Sequence, residues 1–129
     1  MSTKVFQKEW IVPASAIDER QHVNNLAYLQ WCIDIAEEHW KLVASETLQD
    51  KYVWYVLRHT IQYKAEAFEG DSLDIKTWVT TAHGVRSERQ YRIFRNETLL
   101  IEAQTLWCLV DASTKKPIEI PSEIKALFL

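Results

Sequence analysis

The sequence Asp18-Glu19-Arg20-Gln21-His22-Val23-Asn24-Asn25 stands directly before the longest amphipathic stretch of the chain. It places a carboxylate and an imidazole four residues apart, at the point where a helix is predicted to begin. Asn24 and Asn25 favour a helix start, because asparagine side chains accept hydrogen bonds from the unpaired N–H groups of the first turn. Those N–H groups and the helix dipole also suit a developing oxyanion. A base, a polar partner and an anion-stabilising helix end together indicate acyl transfer, most simply hydrolysis.

The helix predicted after this stretch covers residues 24–44. At about 100° per residue, its apolar side chains occupy one face and the adjacent arc as well. They are Leu29, Cys32, Ile33, Ala36, Trp40 and Val43 on the face, and Tyr28, Trp31, Ile35 and Leu42 on the arc. So wide an apolar surface exceeds what a helix on the protein surface needs, and it predicts burial on more than one side. One helix wrapped by a curved sheet meets that demand.

Most of the remaining chain is predicted to be strand, because it alternates in polarity and is rich in Val, Ile, Tyr and Trp. The predicted strands cover residues 5–12, 53–68, 72–81, 85–95 and 98–111. Short turns between long strands predict an antiparallel sheet. A short final helix is predicted to begin at Pro121, with Ser122 as its cap. The order is therefore a strand, a long helix and four more strands, in an α+β fold without internal repeats.

Length, composition and charge exclude several classes of protein. A chain of 129 residues suits a single domain covering residues 1–129. With 47% hydrophobic and 26% charged residues, the chain is expected to fold rather than stay disordered. A net charge of −3, without a dense run of Lys or Arg, predicts no nucleic-acid partner. No apolar stretch resembles a signal peptide or a membrane span, so we expect a cytoplasmic protein without a membrane partner.

The cysteines and other ligand-forming residues predict no metal or cofactor. Cys32 and Cys108 lack metal-ligand spacing and, in a cytoplasmic protein, are expected to be reduced core thiols. The sequence contains no Gly-rich phosphate loop, no metal-ligand cluster and no serine-nucleophile motif. A hydrolase without metal or cofactor is the simplest interpretation.

The spacing Asp18-x-x-x-His22-Val23-Asn24-Asn25-x-x-Tyr28-x-x-Trp31 resembles the signature of the hotdog-fold acyl thioesterases. That family includes the 4-hydroxybenzoyl-CoA thioesterase-like enzymes and the plant acyl-carrier-protein thioesterases. The resemblance continues in family order through Tyr63, Gly70-Asp71, Gly84-Val85-Arg86-Ser87 and Asp111…Pro117…Pro121, nearly the whole chain. It implies the hotdog fold, a long central helix wrapped by a curved antiparallel five-stranded sheet. It also implies a homodimer or homotetramer with active sites at the dimer interface.

The resemblance implies an acyl thioesterase of fatty acid metabolism, which cleaves an acyl-CoA or acyl-carrier-protein thioester to free acid and thiol. Asp18 matches the family's loop carboxylate, which would act as general base on water or attack the carbonyl directly. His22 matches the signature His, which would orient substrate, tune Asp18 or move a proton, although a structural role at the helix entry is equally open. Backbone amides of residues 23–25 are candidates to polarise the thioester carbonyl. Substrate binding is implied for Val23, Asn24, Asn25, Tyr28, Arg86 and Ser87.

Arg20 departs from the plant pattern, which has Asn at this position. Arginine accepts no hydrogen bonds, so the plant triad cannot carry over intact. Two alternatives stay open beside the thioesterase, and the Arg20 departure keeps the second of them open. One is a hotdog hydratase acting on enoyl thioesters, against which the His-Val-Asn-Asn run speaks. The other is a non-catalytic acyl-CoA binding or sensor protein on the same fold.

Several further residues have two interpretations each. Arg58, Lys64, Arg86 and Arg89 would meet CoA phosphates or a carrier protein's acidic face, or would simply be solvated strand residues. Trp54, Trp78 and Trp107 would line an acyl tunnel or belong to the core. Asp34 matches an acidic position of the family but falls on the polar arc of the helix, which favours a solvated role over that of a second catalytic carboxylate.

Overall fold

The computed structural model describes residues 4–129. Its strands are β1 (Phe6–Ile11), β2 (Tyr52–Tyr63), β3 (Ser72–His83), β4 (Arg86–Arg95) and β5 (Thr98–Asp111), and its helices are α1 (Asn25–Val43), α2 (Glu46–Lys51) and α3 (Ser122–Phe128). The five strands form one antiparallel sheet in the order β1-β3-β4-β5-β2. This confirms the predicted α+β fold, the antiparallel sheet and the order of elements along the chain, a strand, a long helix and four more strands. The order of the strands within the sheet and the short helix α2 were not predicted.

Helix α1 packs against one face of the sheet and forms the main core with it. Cys32 and Ile35 of α1 are at most 1% exposed, and they cluster with Tyr91, Ile93 and Ile101 from the sheet. Burial of each aliphatic side chain contributes about 1.5–3 kcal/mol relative to exposure. The wide apolar surface predicted for α1 is therefore largely buried. Its far end is an exception, since Leu42 is 68% exposed.

The two helix caps predicted from the sequence have different outcomes. Asn24 is the N-cap of α1, and its side chain accepts a hydrogen bond of 2.8 Å from the backbone N–H of Leu26. The prediction for α3 was wrong, because Pro121 is the N-cap and Ser122 is already the first helical residue. Pro121 lies at φ −66°, the value that its ring fixes and that a helix start accepts.

Strand β2 ends at Tyr63 rather than at residue 68. The N–H groups of Lys64 and Ala65 both turn to the carbonyl of Leu100, at 2.8 and 3.2 Å. Residues 64–71 then form a loop, the 64–71 loop, which crosses the start of α1. Asp71 closes this loop, because its carboxylate accepts from the N–H of Phe68 and the Arg95 guanidinium, both at 2.9 Å. The loop is thereby held beside the residues that precede α1.

Strand β2 lies at one edge of the sheet and exposes apolar side chains. These side chains, between 40% and 50% exposed, belong to Val53, Tyr55, Val56, Leu57 and Tyr63. A long apolar strand edge is a template for pairing with another chain.

No helix within residues 4–129 has the length and apolar character needed to cross a membrane. The prediction that the chain starts without a signal peptide rests partly on residues 1–3, which lie outside the described residues.

Candidate functional site

Residues 17–23 form a tight loop, the Asp18 loop, immediately before α1. Ile17 and Val23 form an antiparallel bridge that closes it. Inside it, the N–H of Asp18 donates to the carbonyl of His22 at 2.9 Å, and the N–H of Gln21 donates to the carbonyl of Asp18 at 3.0 Å. Gln21 adopts a left-handed conformation at φ 66°, which is uncommon for a residue other than glycine. The backbone around Asp18 is therefore fixed by its own hydrogen bonds.

The Asp18 carboxylate uses one oxygen to hold its position. Its Oδ1 accepts from the backbone N–H of Arg20 at 3.0 Å and from that of His22 at 3.3 Å. Within residues 4–129, Oδ2 has no hydrogen-bond partner. The Arg20 side chain is exposed, and only its backbone takes part in the loop. One carboxylate oxygen is thus oriented and the other remains free to act on water or on a carbonyl.

His22 faces a carboxylate that sequence analysis did not identify. Its Nδ1 lies 2.9 Å from Oε1 of Glu66, an ion-pair approach without the alignment of a hydrogen bond. The Phe68 ring stands edge-on to the imidazole, with 5.7 Å between ring centroids. Glu66 and Phe68 belong to the 64–71 loop, which a local motif cannot reveal.

Of the three amides predicted to polarise the thioester carbonyl, two are occupied. The N–H of Val23 donates to the carbonyl of Ala67 at 3.3 Å, and that of Asn24 donates to the carbonyl of Ala16 at 2.8 Å. The prediction was therefore wrong for these two amides, because backbone pairing uses them to fix the loop. The N–H of Asn25 has no partner among the described residues. It is an exposed first-turn amide at the positive end of α1, suited to an oxyanion.

Tyr28 ties α1 to the 64–71 loop. It is 2% exposed, and its hydroxyl accepts a hydrogen bond of 3.0 Å from the N–H of Ala67. Burial raises the pKa of the Tyr28 phenol above its ordinary value. Tyr63, at the end of β2, donates from its hydroxyl to the carbonyl of Asn25 at 3.4 Å. The end of β2 thus lies beside the start of α1.

A cavity of about 680 Å³ lies along the second half of α1, against β2, β4 and β5. We call it the Arg89 cavity, and its lining is mostly apolar. The lining includes Ile33, Ala36, Trp40, Trp54, Trp107 and Phe128, with the polar residues Ser87 and Arg89. Trp54 and Trp107 therefore occupy positions suited to the predicted acyl tunnel. Trp78 does not, since it lies near Arg92 on the other side of the sheet, 5.6 Å from its guanidinium.

Ser87 and Arg86 belong to the cavity end of the molecule. Ser87 is 5% exposed, and its Oγ donates to the carbonyl of Thr81 at 3.0 Å. Arg86 is exposed at the start of β4, opposite His83. Ile33, at the near end of the cavity, follows Asn25 by eight residues, about 12 Å along the helix. The predicted site residues therefore fall into two separate groups, one around Asp18 and one at the cavity.

Arg89 is not the solvated or phosphate-facing residue that the sequence suggested. Its side chain is only 5% exposed and points toward α1, because alternate residues of β4 face the core. There it contacts His39 of α1 and Thr77 of β3. Neither His39 nor the burial of Arg89 was predicted.

The described residues contain no cluster of three or more His, Cys, Asp or Glu that could hold a metal ion. Cys32 and Cys108 are buried free thiols, as predicted, and burial raises the pKa of Cys32 to about 12. Asp34 is exposed and accepts from the Gln30 side chain at 2.8 Å, one turn earlier.

Comparison with known proteins adds the family. The model of the acyl-ACP thioesterase N-terminal domain matches residues 3–128. The acyl-CoA thioester hydrolase YbgC of Escherichia coli is 29% identical over 108 residues, which are 83% of this chain and 81% of that protein. Slr0204, a 1,4-dihydroxy-2-naphthoyl-CoA thioesterase from Synechocystis, superposes with a TM-score of 0.81 at 22% identity, over 95% of this chain and 94% of that one.

The 12:0-ACP thioesterase from Umbellularia californica superposes with a TM-score of 0.83 at 16% identity, over 98% of this chain and 51% of that one. These structural likenesses show the hotdog fold. The family model covers nearly all of the sequence, and with it the loop, the α1 start and the sheet described above. The chain therefore belongs to the acyl-ACP thioesterase N-terminal domain family of hotdog-fold thioesterases.

Proposed function

We propose that the chain acts in the cytoplasm as a single-domain acyl thioesterase, which hydrolyses an acyl-CoA or acyl-carrier-protein thioester to free acid and thiol. The observation that carries this proposal is the free Oδ2 of Asp18, in a fixed loop that leads directly to the unpaired N–H of Asn25. A basic oxygen and an oxyanion donor at one helix start are what thioester hydrolysis requires.

In the proposed mechanism, the thioester carbonyl oxygen accepts from the N–H of Asn25, where the α1 dipole stabilises the negative charge of the tetrahedral intermediate. Asp18 either removes a proton from the attacking water or attacks the carbonyl itself. The second route gives a mixed anhydride, which water then opens. In both routes the C–S bond breaks and the thiolate leaves. His22, paired with Glu66, lies in the same loop and is placed to orient the substrate or supply a proton.

Two copies of the chain are proposed to complete one site. Strand β2 offers an exposed apolar edge, and two-fold pairing of two such edges is antiparallel. Residues 53–56, at the beginning of β2, line the Arg89 cavity, whereas Tyr63, at its end, contacts Asn25. Pairing along the full strand therefore brings the α1 start of one copy beside the cavity of the other. A homodimer is enough for this arrangement, and a tetramer would be two such dimers.

Release of free thiol from short, medium, long and aromatic acyl-CoAs tests the proposed reaction. Wild type should hydrolyse some member, and Asp18→Asn should lower that rate about 10²- to 10⁴-fold. Asp34→Asn is the matched control, because Asp34 is an exposed carboxylate on the solvent side of α1. It should retain the wild-type rate. Wild-type rates in Asp18→Asn would refute the assignment of Asp18, and tight acyl-CoA binding without turnover by wild type would favour the sensor.

Complementation in mixed dimers tests the composite site. Asp18→Asn lacks the base, and Glu37→Trp fills the cavity mouth from an exposed position of α1. Each variant alone should be inactive. Co-expressed in equal amounts, they should recover about a quarter of the wild-type activity, because half of the dimers are mixed and each has one intact site. A monomer in solution, or no recovery from mixed dimers, would contradict the arrangement.

A further inference from the structure

Arg89 is a buried cation whose protein partners are both neutral. Its Nη1 donates to Nδ1 of His39 at 2.9 Å and to Oγ1 of Thr77 at 3.1 Å. A guanidinium has no acceptor, so Nδ1 of His39 must carry the lone pair. Burial and the charge of Arg89 lower the pKa of His39 to about 4, so its imidazole is uncharged near neutral pH. Phe128 covers the guanidinium, 5.3 Å from the ring centroid, and adds no charge.

No carboxylate of residues 4–129 forms an ion pair with Arg89. A buried charge without a counter-ion is costly, and in most proteins it is paired. The two charged residues at the cavity wall, Glu37 and Lys41, are exposed on α1 and opposite in sign. They leave the positive charge at the inner wall uncompensated.

The guanidinium also has unused donors. Both hydrogens of Nη1 are taken by His39 and Thr77, whereas Nε and Nη2 have no hydrogen-bond partner among the described residues. Arg89 lines the cavity, and neither Nε nor Nη2 is among the fully buried atoms that lack a partner, so both donors are accessible from its space. Nε and Nη2 form one edge of the guanidinium, with two N–H groups spaced for the two oxygens of a carboxylate. The rest of the lining is largely apolar and aromatic, which suits methylene groups.

We propose that the Arg89 cavity binds acyl groups that carry a carboxylate at the end remote from the thioester, so that the preferred substrates are thioesters of dicarboxylic acids. This inference rests on the proposed thioesterase function. The far carboxylate forms the bidentate pair with Arg89, and the methylene chain lies against the tryptophans. An alkyl chain of equal length would displace water from the guanidinium without forming a hydrogen bond to it. Alkyl thioesters should therefore be poorer substrates than dicarboxylic thioesters of the same length.

Matched thioester pairs test the specificity. Hexanoyl-, octanoyl- and decanoyl-CoA are compared with adipoyl-, suberoyl- and sebacoyl-CoA, which have the same chain lengths and a terminal carboxylate. Wild type should show the higher kcat/KM for the dicarboxylic member of at least one pair. In Arg89→Met the ratio within that pair should fall about 30-fold or more, as expected when one side of a buried charge pair is removed.

Arg92→Met is the matched control, because Arg92 lies on β4 three residues later, on the exposed face of the sheet. Its ratio should equal that of wild type. A preference of wild type for the alkyl member at every length would overturn the inference, as would an unchanged ratio in Arg89→Met. Hydrolysis of alkyl thioesters alone would leave the proposed function intact, whereas release of thiol from no thioester would count against the proposed function instead.

A binding measurement separates the cavity from catalysis. Octanoate and octanamide have the same length, and only octanoate carries a charge. Quenching of the cavity tryptophans, Trp40, Trp54 and Trp107, reports occupancy. Wild type should bind octanoate well above octanamide, and Arg89→Met should lose that difference. If Arg89→Met fails to fold, Arg89→Lys keeps the charge without the two-pronged geometry and should weaken octanoate binding. Equal binding of both probes by wild type would overturn the inference.

Discussion

Replacement of Tyr28 by Phe removes a single oxygen atom and tests how the 64–71 loop is held. The Tyr28 hydroxyl accepts from the N–H of Ala67 at 3.0 Å. Tyr28 is 2% exposed and Ala67 is fully buried, so water cannot replace the lost acceptor. The ring itself keeps its edge-on contacts with Trp31 and Tyr63, at centroid distances of 5.4 and 5.8 Å. The change therefore isolates one buried hydrogen bond.

The expected cost follows from the group left behind. A buried N–H without an acceptor destabilises a protein by about 1–3 kcal/mol. For a chain of this length, 2 kcal/mol corresponds to a fall in Tm of roughly 5–10 °C. The same loss loosens the loop that carries Glu66, so the contact between Glu66 and His22 should weaken as well.

Urea unfolding of wild type and Tyr28→Phe measures the effect, at one protein concentration because an oligomer's stability depends on it. Tyr63→Phe is the control. Its hydroxyl makes a long 3.4 Å bond at an exposed position, so its removal should change the free energy of unfolding by less than about 0.5 kcal/mol. An equally small effect of Tyr28→Phe would refute the reasoning. A raised KM with unchanged stability would instead support the substrate-binding role that the sequence predicted for Tyr28.

Three further predictions concern the cap, the loop pair and a buried histidine. Asn24→Ala should lower the free energy of unfolding by about 1 kcal/mol, because it removes the N-cap bond of α1, whereas Asn24→Asp should retain it in the same urea titration. His22→Gln and Glu66→Gln should each lower kcat, and the kcat of the double variant should be no lower than that of the more impaired single variant, since the two side chains act as a pair. Additive losses in a double-mutant cycle would contradict this. The folded pKa of His39, about 4, is below its unfolded value of about 6.5, so the unfolded state binds the proton first as pH falls. Stability should therefore decline from pH 6.5 toward pH 4 by up to about 3 kcal/mol, and His39→Gln should remove that part of the decline in urea midpoints measured at pH 7.5 and 4.5.

The sequence predicted the elements whose signals are local. The period of α1, the Asn24 cap and the bounds of the strand at residues 98–111 were all available in short stretches. The end of β2 was not, because residues 64–68 continue the polar and apolar alternation of the strand. Only the pairing of Lys64 and Ala65 with the carbonyl of Leu100 ends the ladder there. Helix α2 was missed because it is short and polar, although Ser45 supplies a usable cap signal.

The candidate site also combines residues that local spacing predicted with residues that only the tertiary structure brings together. Asp18, His22 and Asn24 stand within seven residues, and their spacing was enough to find them. Glu66 is brought to His22 only by the 64–71 loop, whose path depends on tertiary hydrogen bonds. The burial of Arg89 had one available signal, since it shares a strand face with Ser87 and other core residues of β4. The sequence nevertheless predicted an accessible Arg89, because arginine is seldom buried without a partner.

The location of Arg89 relative to Asp18 determines whether recognition of a dicarboxylic acyl group changes kcat as well as KM. A second carboxylate next to Asp18 would be repelled by its negative charge, so a dicarboxylic substrate needs its second charge kept away from the reacting centre. In the proposed dimer, a substrate whose far carboxylate pairs with Arg89 would have that charge both neutralised and held away from Asp18. The contact with Arg89 forms away from the C–S bond, and its binding energy can be used to keep the thioester carbonyl positioned at the N–H of Asn25. Arg89→Met should therefore lower kcat for dicarboxylic thioesters as well as raise KM. A change in KM alone would mean that Arg89 binds the acyl group without positioning its carbonyl.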